Sequence, residues 1–363
     1  MLYSILGVIG AEVSKEYKWV DTLILESSIA KKCTKEEYEK CKRFIKIYYS
    51  PKINIQNYRE ISKGLYISEN GFYDREYGVQ ITITDDKNVR INTSQECNEW
   101  LIIIIYLLLI KENYLLIHSA GLLKDNNVFL LPSWGGVGKT ACVAKMVREQ
   151  EWNLLGDDIV AINEYGIAKP FLKDFVIYPY HKNLFPTLFK GNKKPIVPVS
   201  MNNFVSRMVP YIKPILRKLP GLLAFLRKNN PQSVKISPIK IFDSKYLGGE
   251  GKINTLIWLE RVKSMSCNKC DYSLLTIDEI ASKIISVSML EIFSSKLNAI
   301  CVLCGCGLID FEDVFIKPYD ILIKAIKNAK AYILKLPVSM DINIVPDKLL
   351  EFLENIRVGD IKL

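Results

Sequence analysis

The feature that most restricts the fold is the run Leu130-Leu131-Pro132-Ser133-Trp134-Gly135-Gly136-Val137-Gly138-Lys139-Thr140. Val128 to Leu131 has the character of a short apolar strand, the glycines punctuate a turn, and Lys139 to about Glu149 has helical spacing. A further apolar strand, Trp152 to Leu155, follows. Strand, glycine-rich turn and helix in that order open an α/β core of the P-loop type. Such a turn points backbone N–H groups and a helix N-terminus at an anion, while a lysine reaches the outer phosphates and a hydroxyl ligates magnesium. The nucleotide-binding candidates are therefore Ser133, Gly135, Gly136, Val137, Gly138, Lys139 and Thr140. Ser133 stands where the usual pattern has its first glycine, and Gly135 and Gly136 are expected to restore the freedom lost there.

Seventeen residues after Thr140, Leu154-Leu155-Gly156-Asp157-Asp158-Ile159-Val160 places two carboxylates at the end of an apolar strand. Two adjacent acids allow one to hold a metal and the other to take a proton from an attacking hydroxyl. Which aspartate has which task stays open. The chain has two histidines, His118 and His181, and both lie near these motifs. His118 is expected to end the strand before the one that feeds the turn, where it could face phosphates. Asp157, Asp158, His118 and Lys139 are the candidate catalytic residues, with Thr140, Asp157 and Asp158 as magnesium ligands.

His118-Ser119-Ala120-Gly121, then a short-format P-loop, then Gly156-Asp157-Asp158, resembles the C-terminal catalytic domain of HPr kinase/phosphorylase and its relatives, among them kinases encoded with lasso-peptide clusters. The match covers about 118 to 160; Leu256 to Arg261 and Leu334 to Leu353 are similar more loosely. The resemblance implies a P-loop fold related to phosphoenolpyruvate carboxykinase, and transfer of phosphate from ATP with magnesium to a serine hydroxyl of a peptide or small protein. It makes His118 a phosphate-side group, Lys139 and Thr140 nucleotide and metal contacts, and Asp157 with Asp158 the base and metal pair. Ala141 follows Thr140 where bifunctional members carry an acid, so the expectation is a kinase with an acceptor other than HPr. A nucleotide-driven switch without transfer, and a kinase of small metabolites or carbohydrates, are the alternatives.

The rest of the chain sets the organisation. At 363 residues and 49% hydrophobic there is material for one large or two moderate domains. Residues 1–95 are expected as a mixed α+β domain, with strands at Tyr17 to Leu25, Phe44 to Tyr49, Gly64 to Ile67 and Tyr77 to Thr84, the last paired with Val89 to Asn92, and a helix at about Lys35 to Arg43. Residues 96–363 form the P-loop domain. Gln95 to Lys111 is expected as a buried helix and Tyr114 to Ile117 as a strand. Further on, helices are expected at Ile277 to Leu290, Pro318 to Ala331 and Pro346 to Ile356, and strands at Thr255 to Leu259, Ile300 to Leu308 and Tyr332 to Leu336.

Between them lies an insertion at about 182–240. From His181 to Phe242 there are twelve Lys or Arg and no Asp or Glu, which exceeds the net charge of +10 on the whole chain. Eight prolines within residues 182–238 argue against long helices there. The basic and apolar mixture of residues 193–235 suits a lid over the nucleotide, a peptide or anionic acceptor, or an anionic membrane surface. Sparse aromatics and the lack of a recognition-helix pattern argue against nucleic acid. The longest apolar run, Leu101 to Ile110, is short against the roughly 20 residues that span a bilayer, and no basic residue precedes the first apolar stretch, so a cytoplasmic protein is expected. Nine cysteines without an export signal favour free thiols. Cys267, Cys270, Cys301 and Cys304 make two Cys-x2-Cys pairs, and structural zinc is the alternative to their serving as small apolar filler. The resemblance to bifunctional enzymes that form hexamers admits an oligomer.

Overall fold

The computed structural model describes the chain outside residues 18, 21–22, 27–28, 86–87, 179–180, 190–233, 264, 266–269 and 359–363. Residues 1–174 and 237–363 make one unit, and 175–236 a second.

Apolar side chains alternating with polar ones build the first sheet. Its strands are β1 (Leu2–Ile5), β2 (Ile9–Val13), β3 (Lys31–Lys32), β4 (Arg43–Tyr49), β5 (Arg59–Ser62), β6 (Leu65–Ser68), β7 (Gly71–Asp74), β8 (Val79–Ile83) and β9 (Asn88–Thr93). They lie in the order β3-β1-β2-β4-β9-β8-β7-β6-β5, with β4 parallel to both β2 and β9. In β4, Ile45 and Ile47 are buried and Lys46 between them is exposed, the period-two pattern of a strand with one face on the core.

Two expectations fail in this region. Tyr17 to Leu25 is no strand among its described residues: the chain takes a 3-10 turn at Ile24–Glu26, and Tyr17, Leu23 and Leu25 are buried as separate anchors of an irregular segment. The helix expected to reach Arg43 is α1 (Lys35–Glu39). Thr34 and Glu37 cap its start reciprocally, but none of its residues is buried. Lys42 and Arg43 donate their backbone N–H groups to the Val8 carbonyl, which draws the chain into β4 instead.

The helix α2 (Asn98–Lys111) is apolar all round, because it packs on β2 of the first sheet and on β10 of the second; every residue from Ile103 to Ile110 is buried. The second sheet comprises β10 (Tyr114–Lys124), β11 (Asn127–Pro132), β12 (Asn153–Gly156), β13 (Ile159–Asn163), β14 (Ile167–Lys169), β17 (Gly251–Val262), β18 (Asp271–Leu274) and β19 (Lys330–Pro337). Its order is β11-β10-β13-β14-β17-β19-β18; β12 also pairs with β10, and β11 also pairs with β17, which closes the path on itself. The strands β11, β17 and β19 run parallel, so Pro132, Val262 and Pro337 mark one edge. In sheets of this kind ligands gather at the carboxyl ends of the parallel strands. In the second unit, β15 (Phe175–Ile177) pairs antiparallel with β16 (Val234–Ile236).

Helices α3 (Lys139–Glu149), α4 (Ile277–Phe293), α5 (Leu297–Gly305), α6 (Phe311–Phe315), α7 (Lys317–Ile326) and α8 (Val345–Val358) complete the first unit. The segment read as a strand at Ile300 to Leu308 is helical in α5 instead. Ile300 and Leu303, three apart, form its buried side, while Cys301 and Cys306 are exposed. Ile277–Gly305 is long and apolar enough to cross a membrane by length and composition, although it holds no unbroken apolar run as long as Leu101 to Ile110. Here a 3-10 turn at Ser294–Lys296, with Ser294 at φ 42°, splits it into α4 and α5, and Ile280, Ile284, Val287, Ile300 and Leu303 are buried in the protein. Next to that break Lys296 Nζ donates to Asp74 Oδ2 at 2.9 Å, and Trp100 Nε1 donates to the same oxygen at 2.9 Å. Asp74 ends β7, so this buried pair ties the first sheet to α2 and to the α4–α5 corner.

Candidate functional site

The glycine-rich turn leaves the edge of the second sheet at Pro132 and enters α3 through Gly138. Left-handed backbone occurs at Gly136, φ 79°, and Gly138, φ 119°. Ser133 is not among the positive-φ residues, so the backbone there does not demand the glycine of the usual pattern. Its side chain is buried, and its Oγ has no hydrogen-bond partner among the described residues. Gly135 and Gly136 face open space, and a Cβ at either would meet nothing within 4 Å. A Cβ at Gly138 would lie 3.1 Å from Val345 Cγ1, so the base of the turn rests on the first residue of α8.

Lys139, the first residue of α3, is buried, and its ammonium is held from three sides: Ser133 O at 2.7 Å, Trp134 O at 3.2 Å and His118 Nε2 at 3.0 Å. Burial draws its pKa down, and the carboxylates of Asp158, Asp157 and Glu291 act in the opposite sense. His118 is pulled down to about 3 by burial first, then by Lys139 and Lys173, so its ring is neutral at neutral pH. It lies inside β10 rather than at a strand end. The strand is paired on both edges around this point, His118 with Ile159 of β13 on one and Ser119 with Pro132 of β11 on the other.

The paired aspartates fill the two-residue break between β12 and β13, which run in the same direction along one edge of β10, Gly156 opposite Gly121 and Ile159 opposite His118. A Cβ at Gly156 would stand 2.0 Å from the Ile159 carbonyl oxygen, so the chain kinks this tightly only with glycine. Thr140 Oγ1 donates to Asp157 Oδ2 at 2.9 Å. Asp157 Oδ1 is buried without a partner among the described residues. Burial first, then the Asp158 charge, pushes the Asp157 carboxyl up to about 7, opposed by Thr140 and Lys139. Asp158 is half-buried, and its carbonyl accepts from Ser119 N at 3.1 Å, which keeps the kinked segment on β10.

The turn, Lys139, Thr140, Asp157 and His118 thus come together on one edge. A hydroxyl and a carboxylate already facing each other, with one carboxylate oxygen unspent, fit a hard divalent cation that takes oxygen ligands. Free N–H groups at the start of α3, with a lysine beside them, fit the phosphates of a nucleotide.

Three neighbours of this edge were not among the sequence candidates. Ser288 of α4 accepts the His118 N–H at 2.8 Å; a buried polar residue on the apolar face of Ile280, Ile284 and Val287 was the available signal. Arg261 at the end of β17 and Val345 at the start of α8 lie within the two segments of looser resemblance, Leu256 to Arg261 and Leu334 to Leu353, where the sequence assigned no role to either residue. His181, in the second unit, is buried and accepts the Tyr178 N–H at Nδ1, 3.3 Å away, and burial draws it down to about 4.

Cys267 lies outside the described residues. Cys270 is half-buried and feels Lys348, Glu351 and Arg261, while Cys304 on α5 feels Cys301 and Asp310. No three His, Cys, Asp or Glu residues among those described are grouped to hold a metal. Residues 190–233, most of the basic insertion and of the stretch 193–235 considered for acceptor or membrane contact, are outside the described residues too. A cavity of about 260 Å³ lined by Lys124, Asn127, Asn254 and Lys330 sits at the opposite ends of β11, β17 and β19, away from the glycine-rich turn.

No family model matches the chain, and no curated protein matches it. Among solved structures it is similar to the Hpr(Ser) kinase/phosphatase from Coxiella burnetii, with 10% identity and a TM-score of 0.30 over 67% of this chain and 97% of that one. At that distance the functional reading rests on the residues of the chain itself.

Proposed function

We propose that the chain is an ATP- and magnesium-dependent phosphotransferase that passes the γ-phosphate to a hydroxyl, that of a serine in a peptide or small protein. One observation carries the reading: Thr140 and Asp157 are hydrogen-bonded at 2.9 Å beside a glycine-rich helix start, and the other Asp157 oxygen is buried and unpaired. A carboxylate buried at such cost, with an oxygen left over, is a metal ligand in waiting. The residue types that the sequence resemblance names are those found together here.

In this reading the N–H groups of the turn and Lys139 bind the β- and γ-phosphates, for which Lys139 exchanges its internal carbonyl partners. Thr140 and Asp157 hold magnesium, which when bound neutralises charge building on the transferred group. The more accessible Asp158 takes the proton from the acceptor hydroxyl as its oxygen bonds to phosphorus and the bond to the ADP oxygen breaks. His118, neutral, accepts from Lys139 and keeps the ammonium on the phosphate side.

The test is incubation of the full chain with γ-labelled ATP, magnesium, serine peptides and sugars, followed by mass spectrometry of whatever gains the label. The expected product is a phosphoserine, formed 10²–10⁴-fold more slowly by Asp158→Asn while ATP binding is retained. A labelled sugar would move the acceptor to a metabolite. ATP bound tightly with no transfer would replace the enzyme by a nucleotide switch, and no ATP binding would end the reading altogether.

A further inference from the structure

Arg261 is the penultimate residue of β17, at the edge where the glycine-rich turn begins, and it pairs in register with Leu336 of β19. Its Nη1 donates to two carbonyls, Pro337 O at the end of β19 at 2.9 Å and Met340 O just beyond it at 2.9 Å. Those carbonyls belong to a tight turn closed by Met340 N to Pro337 O, from which the chain runs through Ile344 into α8. The first residue of α8 is Val345, fully buried, and its methyls stand 3.1 to 3.3 Å from where a Cβ of Gly138 would be. α8 packs along α3, and Lys145 of α3 pairs with Asp347 of α8. One cation therefore fixes the corner from which the buttress of the glycine-rich turn projects.

We propose that Arg261 is a positioning residue for the nucleotide site: by clamping the Pro337 and Met340 carbonyls it sets Val345 against Gly138 and holds the turn open for phosphate. The proposal rests on the nucleotide reading above and adds to it a residue that touches no ligand. A guanidinium suits this task because its planar, fixed donors define the direction of both carbonyls, where an ammonium on a flexible stem would not. Gly138 at φ 119° has no side chain to keep it in place, so the packing partner supplied by α8 has to do so. The turn contacts phosphate alike in the ground and transition states, so loosening it weakens binding and leaves turnover at saturation near its parent value.

The experiment is calorimetric titration of the full chain with ATP and magnesium, for the parent and for Arg261→Met, Arg261→Lys, Val345→Ala and Arg261→Met/Val345→Ala, each at a temperature where circular dichroism shows it folded. Arg261→Met is expected to raise the ATP Kd about tenfold or more, with Arg261→Lys intermediate and the label-transfer rate at saturating ATP little changed. The double variant is expected to lose less than the product of the single losses, because both changes act on one contact. A folded Arg261→Met with a Kd within about twofold of the parent overturns the proposal. Should that variant not fold, Val345→Ala decides: weakened binding supports the buttress and unchanged binding removes it. A parent that binds no nucleotide ends the functional reading itself, an outcome distinct from parent and variant binding alike.

Discussion

Lys139 Nζ lies 3.0 Å from His118 Nε2, in a buried pocket where Ser133 and Trp134 supply the other two partners of the ammonium. A charged lysine only donates, so Nε2 accepts and the imidazole proton sits on Nδ1. The pair makes each group a constraint on the other. A protonated His118 would place two cations in contact, and burial already disfavours either charge.

Both histidines of the chain should therefore stay neutral well below the usual imidazole range. His118 is drawn down to about 3 and His181 to about 4, burial being the first cause in each. Between the unfolded value near 6.5 and these folded values, the unfolded chain binds protons that the folded chain does not. Stability then falls as pH drops through that window, by up to ~1.4 kcal/mol per pH unit for each histidine, and the loss ends below the folded values. Ring-proton NMR should show two resonances flat from pH 8 to 5. A midpoint near 6.5 in the native state for either would contradict the burial that fixes them.

Replacing Lys139 separates binding from stability. The buried ammonium carries a desolvation penalty that its neutral partners and distant acids only partly offset, and an apolar side chain of similar length carries none. Lys139→Met should keep or raise the melting temperature while ATP binding falls by about a hundredfold or more. Calorimetry and thermal melts on the same sample check both halves. A variant that melts far lower but still binds ATP would make Lys139 a structural residue.

The buried pair Asp74–Lys296 is expected to behave in the opposite way. Both side chains are buried, their contact is 2.9 Å, and the Lys296 ammonium also stands over the Tyr77 ring. Removing one partner leaves the other charge uncompensated, at a cost of about 3–5 kcal/mol for Asp74→Ala or Lys296→Ala. The double change Asp74→Leu/Lys296→Met removes both charges and should lose much less than the sum. Urea titrations of the four proteins give the coupling directly. Additive losses would show that the two charges do not support each other.

What could be read in the sequence was whatever lies contiguous in it. The turn from Ser133 to Thr140 and the Asp157-Asp158 pair each sit within a few residues, because a helix start and a kink within an extended segment are local structures with local signals. The tolerance of Ser133 was not legible, since only the backbone shows that the left-handed angles fall on Gly136 and Gly138. Ser288, Arg261 and Val345 come from α4, β17 and α8, and only the pairing of β17 with β19 and the packing of α8 on α3 bring the last two to the turn. Ile300 to Leu308 misled for another reason: its apolar residues and cysteines are compatible with either period, and the three-residue spacing of Ile300 and Leu303 decides for a helix. α2 was legible because a uniformly apolar run of that length has few other fates, although the two sheets it separates were not.

Gly156 is where the site's geometry depends most on a missing side chain. The strands β12 and β13 both pair with β10, and Asp157 and Asp158 span the two-residue gap between them. The chain kinks there without leaving β10, and the kink brings the Ile159 carbonyl oxygen within 2.0 Å of where a Cβ of residue 156 would stand. Gly121, opposite Gly156 on β10, is under the same pressure, with Val160 Cγ2 2.6 Å from its virtual Cβ. A backbone carbonyl cannot step aside as a side-chain tip can, so Gly156→Ala has to move the aspartates rather than a rotamer. The expected outcome is loss of about 2–4 kcal/mol in stability together with loss of metal-dependent ATP binding, because Asp157 Oδ2 leaves Thr140 when the kink is relaxed. Gly121→Ala meets a side chain that can turn, and should lose about 1–3 kcal/mol while binding persists. Denaturant titration and calorimetry on both variants compare the two. Equal binding in Gly156→Ala and the parent would mean that Asp157 does not depend on this kink for its place beside Thr140.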